Sequence, residues 1–152
     1  MSALRLCQHI NAPRARVYQA LTDARAVAVW MVPDGMTSEV HGFDAREGGA
    51  FRVSLTYEDP TNAGKTSAHT DTYHGRFVKL VPGQQVVQTV EFETEDPSMR
   101  GTMTITFTLS DADGGTDLFA VHEGLPRGVS TGDNELGWRM SLGKLAALVE
   151  GG

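Results

Sequence analysis

His122 is the residue in this sequence with the most chemical promise. Between Thr116 and Gly124 it shares a side of the chain with Leu118 and Ala120, so a histidine sits among apolar neighbours. A side chain placed there must be hydrogen-bonded, or burial drives it toward the neutral form. It could orient a polar ligand atom or carry a proton near neutral pH, and it could equally be a core histidine satisfied by a backbone group. His74 and Glu91 are a second candidate. A two-residue turn at Pro82-Gly83 makes them cross-strand partners, either as a functional pair or as a surface ion pair of little energetic weight.

Two further patterns carry less. Gly128-Val129-Ser130-Thr131-Gly132 matches Gly-x-Ser-x-Gly between a strand and a helix, but no histidine follows Ser130 to complete a hydrolase triad. Ser130 therefore reads as a loop or capping residue. Asp111, Asp113 and Asp117 resemble a calcium loop only loosely, because position 122, where a bidentate glutamate should fall, is histidine. The histidines show no His-Glu-x-x-His spacing, and nucleotide-binding glycine loops are absent. No metal and no cofactor is expected, and no catalytic set is visible.

The elements that must position these residues follow from periodicity. Leu4 to Ile10 alternates as a half-buried strand. Pro13 to Trp30 reads as two short helices, with Asn11 and Pro13 at the start and a break near Thr22-Asp23. Strand candidates are Ser38 to Gly42, Ala50 to Tyr57, Thr72 to Val81, Gln84 to Glu93, Gly101 to Ser110 and Thr116 to Gly124. Residues 58 to 71 read as a long hairpin tip. Asp113-Gly114 favours a two-residue turn. If Ala112 opposes Gly115, then Leu118 faces Leu109, Ala120 faces Phe107 and His122 faces Ile105; a slip of one residue would turn His122 to the other surface. Trp138, Leu142, Leu145 and Val149 form one helical stripe, which Ser130, Thr131 or Asp133 can cap. The order is strand, two short helices, six strands and a long helix, an α+β layer arrangement.

With 152 residues the chain is read as one domain, residues 1–152, and its 40% hydrophobic and 21% charged content fits a globular protein. A net charge of −6 argues against a phosphate-backbone binder, so no nucleic acid is expected as partner. No apolar run approaches a membrane span and no signal peptide is read, so a cytoplasmic location is the expectation. One cysteine, Cys7, excludes a disulfide framework within the chain.

Several blocks then resemble a known family. Ile10-Asn11-Ala12-Pro13 with Val17, Ala20-Leu21-Thr22-Asp23 and Trp30 resembles the opening of the activator-of-heat-shock-ATPase-like group. Asp44-Ala45-Arg46-Glu47-Gly48-Gly49-Ala50-Phe51 looks like its Asp-x-Arg-x-Gly-Gly-x-Phe block. Tyr73-His74-Gly75-Arg76-Phe77, Gly115-Thr116-Asp117-Leu118, His122-Glu123-Gly124-Leu125 and Gly137-Trp138 follow in matching order. Met31 departs from it, standing where many relatives carry a second tryptophan. The resemblance implies a START-like, helix-grip fold: a curved antiparallel sheet of six to seven strands around the C-terminal helix, with a cavity between them.

In that fold Gly137, Gly143 and Ala120 would stand where the layers meet. Trp30, Phe77, Met103, Ile105, Phe107, Trp138 and Leu142 would line the space, or pack it as ordinary core. His122, and with it Glu91, would orient polar atoms. The expected occupant is a small hydrophobic or aromatic molecule. The family name implies a chaperone as an alternative partner, and a cyclase or aromatase activity is a third reading.

Overall fold

In a computed structural model, residues 3–58 and 70–151 are described. The chain runs β1 (Ala3–Ile10), α1 (Arg14–Leu21), α2 (Ala24–Trp30), β2 (Met36–Phe43), β3 (Ala50–Tyr57) and β4 (Thr70–Val81). It continues through β5 (Gln85–Phe92), a 3-10 turn (Pro97–Met99), β6 (Met103–Ala112), β7 (Gly115–Glu123) and α3 (Thr131–Gly151). The hairpin tip expected over 58 to 71 falls largely outside the described residues. The strands form one antiparallel sheet in the order β1-β7-β6-β5-β4-β3-β2, and three helices lie against one face. This is the expected α+β helix-grip arrangement.

Local chemistry explains the breaks. Asp23 separates α1 from α2, its carboxylate accepting from the Arg25 N–H at 3.2 Å. Asn11 does not cap α1 as expected: Pro13 is the cap, held extended at φ −66° and ψ 152°, and Asn11 instead contacts His9. Asp113 and Gly114 adopt positive φ values of 41° and 78°, the pair a tight hairpin turn requires. The β6–β7 register follows, with Ala112 opposite Gly115 and His122 opposite Ile105.

The β4–β5 hairpin reaches the expected pairing by a different route. Val81 opposes Gln85, so the turn has three residues, Pro82, Gly83 and Gln84, rather than two. A bulge between Phe77 and Lys79 then leaves the exposed Val78 unpaired and restores His74 opposite Glu91. The longer turn and the bulge cancel.

The core fills the space beneath the helices. Phe107 lies edge-on to both Trp30 and Trp138, at centroid distances of 6.1 and 5.8 Å. Leu142, Leu145 and Val149, the later positions of the α3 stripe, are fully or nearly buried. Gly143 meets nothing within 4 Å, and Gly137 faces Pro33 at 3.6 Å. Neither glycine therefore lets helix and sheet approach; Ala120, buried opposite Phe107, does stand between the layers.

Candidate ligand-binding cleft

Beneath the first half of α3 the interior is hollow. A half-open cleft of about 530 Å³ separates the helix from the sheet, within the size range of small-molecule sites. β6 and β7 contribute Met103, Ile105 and His122 to its floor, and β3 to β5 contribute Leu55, Tyr73 and Val90. α3 supplies Asn134 and Trp138, and the segment after α2 supplies Met31 and Pro33 at the rim. Lys144 fastens that rim to α3, donating to the Val32 carbonyl at 2.6 Å and pairing with Asp34 at 3.0 Å.

His122 is 8% exposed and points into this hollow. The Trp138 indole N–H donates to its Nδ1 at 2.9 Å. An indole nitrogen is only a donor, so Nδ1 must be the unprotonated nitrogen and the ring proton sits on Nε2. Burial enforces the same state by lowering the His122 pKa from 6.5 to about 4. The Nε2–H faces the Met103 sulfur at 3.1 Å. A thioether is a weak acceptor, so this donor is held in place yet poorly satisfied.

The same pattern repeats across the cleft. The Tyr73 hydroxyl, kept protonated by burial, donates to the Met31 sulfur at 4.0 Å. The Asp34 N–H donates to the Met140 sulfur at 3.4 Å. Four of the six methionines, Met31, Met36, Met103 and Met140, line this one cleft. Such unbranched, polarizable side chains re-pack readily around different shapes. The arrangement holds N–H and O–H donors against exchangeable sulfur in an apolar hollow.

The profile of the family described as Activator of Hsp90 ATPase homolog 1-like protein matches residues 11–150. The chain belongs to that family. A protein of Chromobacterium violaceum is similar at 36% identity and a TM-score of 0.87, over 97% of this chain and 96% of that one. A protein of Rhodobacter sphaeroides shares the fold at 18% identity, with a TM-score of 0.81 over 99% of this chain and 93% of that one. So does a protein from the dynemicin biosynthetic locus, at 20% identity and a TM-score of 0.68 over 99% of this chain and 48% of that one. No curated protein matches the chain.

In this member of the family, Met103, Ile105, His122 and Trp138 meet at the cleft. Phe77, Phe107 and Leu142 do not line it and are buried in the core. Trp30 is also inside the core, its indole N–H donating to the Ala20 carbonyl at 2.9 Å. Glu91 lies on the opposite sheet face. There it accepts from the Thr102 hydroxyl at 3.0 Å and stands 3.5 Å from His74. Beside it Arg52 forms a two-pronged bond to Glu93, which holds that carboxyl below its usual pKa.

Ser130 caps α3, its hydroxyl accepting from the Asp133 N–H at 3.2 Å. The three aspartates of the loose calcium pattern diverge: Asp111 pairs with Arg14, Asp117 with His9, and Asp113 sits in the turn. Among the described residues no three His, Cys, Asp or Glu side chains group to hold a metal, and no helix is long and apolar enough to cross a membrane.

Sequence reasoning passed over Tyr73, Met31, Asn134 and Gln88. Tyr73 was within reach, since it lies four residues from Phe77 and so on the same strand face. Gln88 interrupts an otherwise apolar inward series with Val86 and Val90, a signal visible in the sequence. Met31 ends α2 in an irregular segment where no periodicity applies.

Proposed function

We propose that this protein binds a small, flat, apolar molecule in the cleft, with a hydrogen-bond acceptor of the ligand taking the Nε2–H of His122. The observation that carries this reading is the fixed tautomer. Trp138 commits one ring nitrogen as acceptor and leaves the other as a donor whose protein partner is only a thioether. A ketone or similar neutral oxygen is a better acceptor than sulfur, and the Met103 side chain can turn aside. The ligand is neutral rather than anionic: among the described residues no lysine or arginine lines the cleft, whereas Asp34, Asp71 and Asp133 do.

The depressed His122 pKa favours a hydrogen-bond donor over a proton carrier at neutral pH. The family description also suggests a chaperone partner. That role would use the outer surface and would leave cleft variants without effect.

Two naphthalene probes of the same shape test the reading. 2-Acetylnaphthalene carries a carbonyl where 2-isopropenylnaphthalene carries a methylene. The ketone is expected to bind about fivefold tighter or better, the value of one net hydrogen bond, and His122→Phe should abolish that difference. Equal affinity of both probes for the unaltered protein would refute the proposal.

A further inference from the structure

A second, smaller and more enclosed space lies beside the cleft. It is a void of about 10 Å³, lined among others by Trp30, Phe107, Phe51 and Gln88, and roomy enough for one water at most. Among the described residues, only Met31 and Tyr73 are shared between its wall and that of the cleft. The partition is weak. Among the described residues its one polar tie is the long Tyr73 hydroxyl to Met31 sulfur contact at 4.0 Å, and methionine has three freely turning bonds.

Gln88 gives this space a purpose. It is 6% exposed, on the helix-covered face of β5, and it is the one side-chain amide among the described residues that line the void. An amide facing an otherwise apolar space favours a polar atom in that space. Its distance from His122 follows from the register. His122 opposes Ile105, and Ile105 opposes Gln88, so the two polar residues stand on one cross-sheet row with an apolar residue between them. Two interstrand steps separate their backbones by about 10 Å.

We propose that Met31 is a gate, and that cleft and void are two compartments of one site whose inner polar end is the Gln88 amide. The ligand is then a flat apolar molecule with polar atoms at both ends, about 10 Å apart or somewhat less: an acceptor for His122 and a hydroxyl or carbonyl for Gln88. This proposal rests on the cleft-binding reading above, and separate reporters distinguish the two.

The test uses 6-acetyl-2-naphthol against 2-acetylnaphthalene, which lacks the hydroxyl. The full chain is labelled with nitrogen-15, and the His122 ring and Gln88 side-chain amide signals are followed during titration. The hydroxylated probe should shift both signals, and the shorter one only His122. The hydroxyl should improve affinity about fivefold. Gln88→Met should erase that advantage, while Met31→Ala should tighten the hydroxylated probe several-fold more than its partner. A His122 shift with no Gln88 shift overturns the inner compartment and leaves the outer cleft intact, making the void a hydration site. No shift at either residue overturns both readings.

Discussion

The rings of His122 and Trp138 meet almost at right angles, at 76° and a centroid distance of 5.8 Å, with the indole N–H on the imidazole Nδ1. One residue comes from β7 and the other from α3, so this bond ties the two layers together at the floor of the cleft. It also sets which imidazole nitrogen carries the proton. Layer packing and the imidazole tautomer are coupled at this contact.

Acid should therefore loosen the fold through His122. Unfolded, the ring takes a proton near pH 6.5; folded, it resists until about 4. Between those values the unfolded state binds more protons, so stability is complete above the upper value and falls as pH drops toward the lower one. The loss from this residue is on the order of 3 kcal/mol. Urea midpoints of the unaltered protein and His122→Asn, compared from pH 7 to 4, check it: the variant should lack this component of the slope.

Core and cleft should separate by mutation. Leu142 is 2% exposed and does not line the hollow. Leu142→Ala should cost about 3 kcal/mol of stability and leave the 2-acetylnaphthalene affinity within twofold in folded protein. Denaturation and calorimetric titration of the same samples read both quantities.

Two glycines should respond in opposite directions to alanine. A Cβ at Gly75 would overlap the Thr89 carbonyl oxygen and lie 2.6 Å from the Phe51 ring, inside the sheet. Gly75→Ala should cost about 3 kcal/mol. Gly143 is exposed within α3 with open space around it, so Gly143→Ala should stabilise by about 0.5–1 kcal/mol. Thermal melts give the signs directly.

The rim should loosen when Lys144 loses its ammonium. Lys144→Met removes the bonds to Val32 and Asp34. Amide exchange in residues 31–36 should accelerate while exchange in β6 stays unchanged. Equal acceleration in both would mean global destabilisation instead.

The sequence made the frame legible because its signals are local. Alternation in β6 and the Asp113-Gly114 turn together place His122 on the inner face, and one register argument suffices. The β4–β5 hairpin shows the limit. A three-residue turn and a bulge at Val78 offset one another, and nothing local announces either. Aromatic residues suggested a wall in Phe77, Phe107 and Trp30, but residue type does not say which side of a filled layer a ring occupies. The cleft is lined instead by methionines drawn from β2, β6, α3 and the end of α2, and its position follows from where the later half of α3 closes on the core. Those are tertiary facts.

The most direct measurement is a crystal structure of the protein with 2-acetylnaphthalene. The account predicts the naphthalene between Trp138 and the β6 floor, with its carbonyl oxygen about 3 Å from Nε2 of His122 and Met103 turned away. A carbonyl directed elsewhere, with the His122 and Met103 contact unbroken, would contradict it.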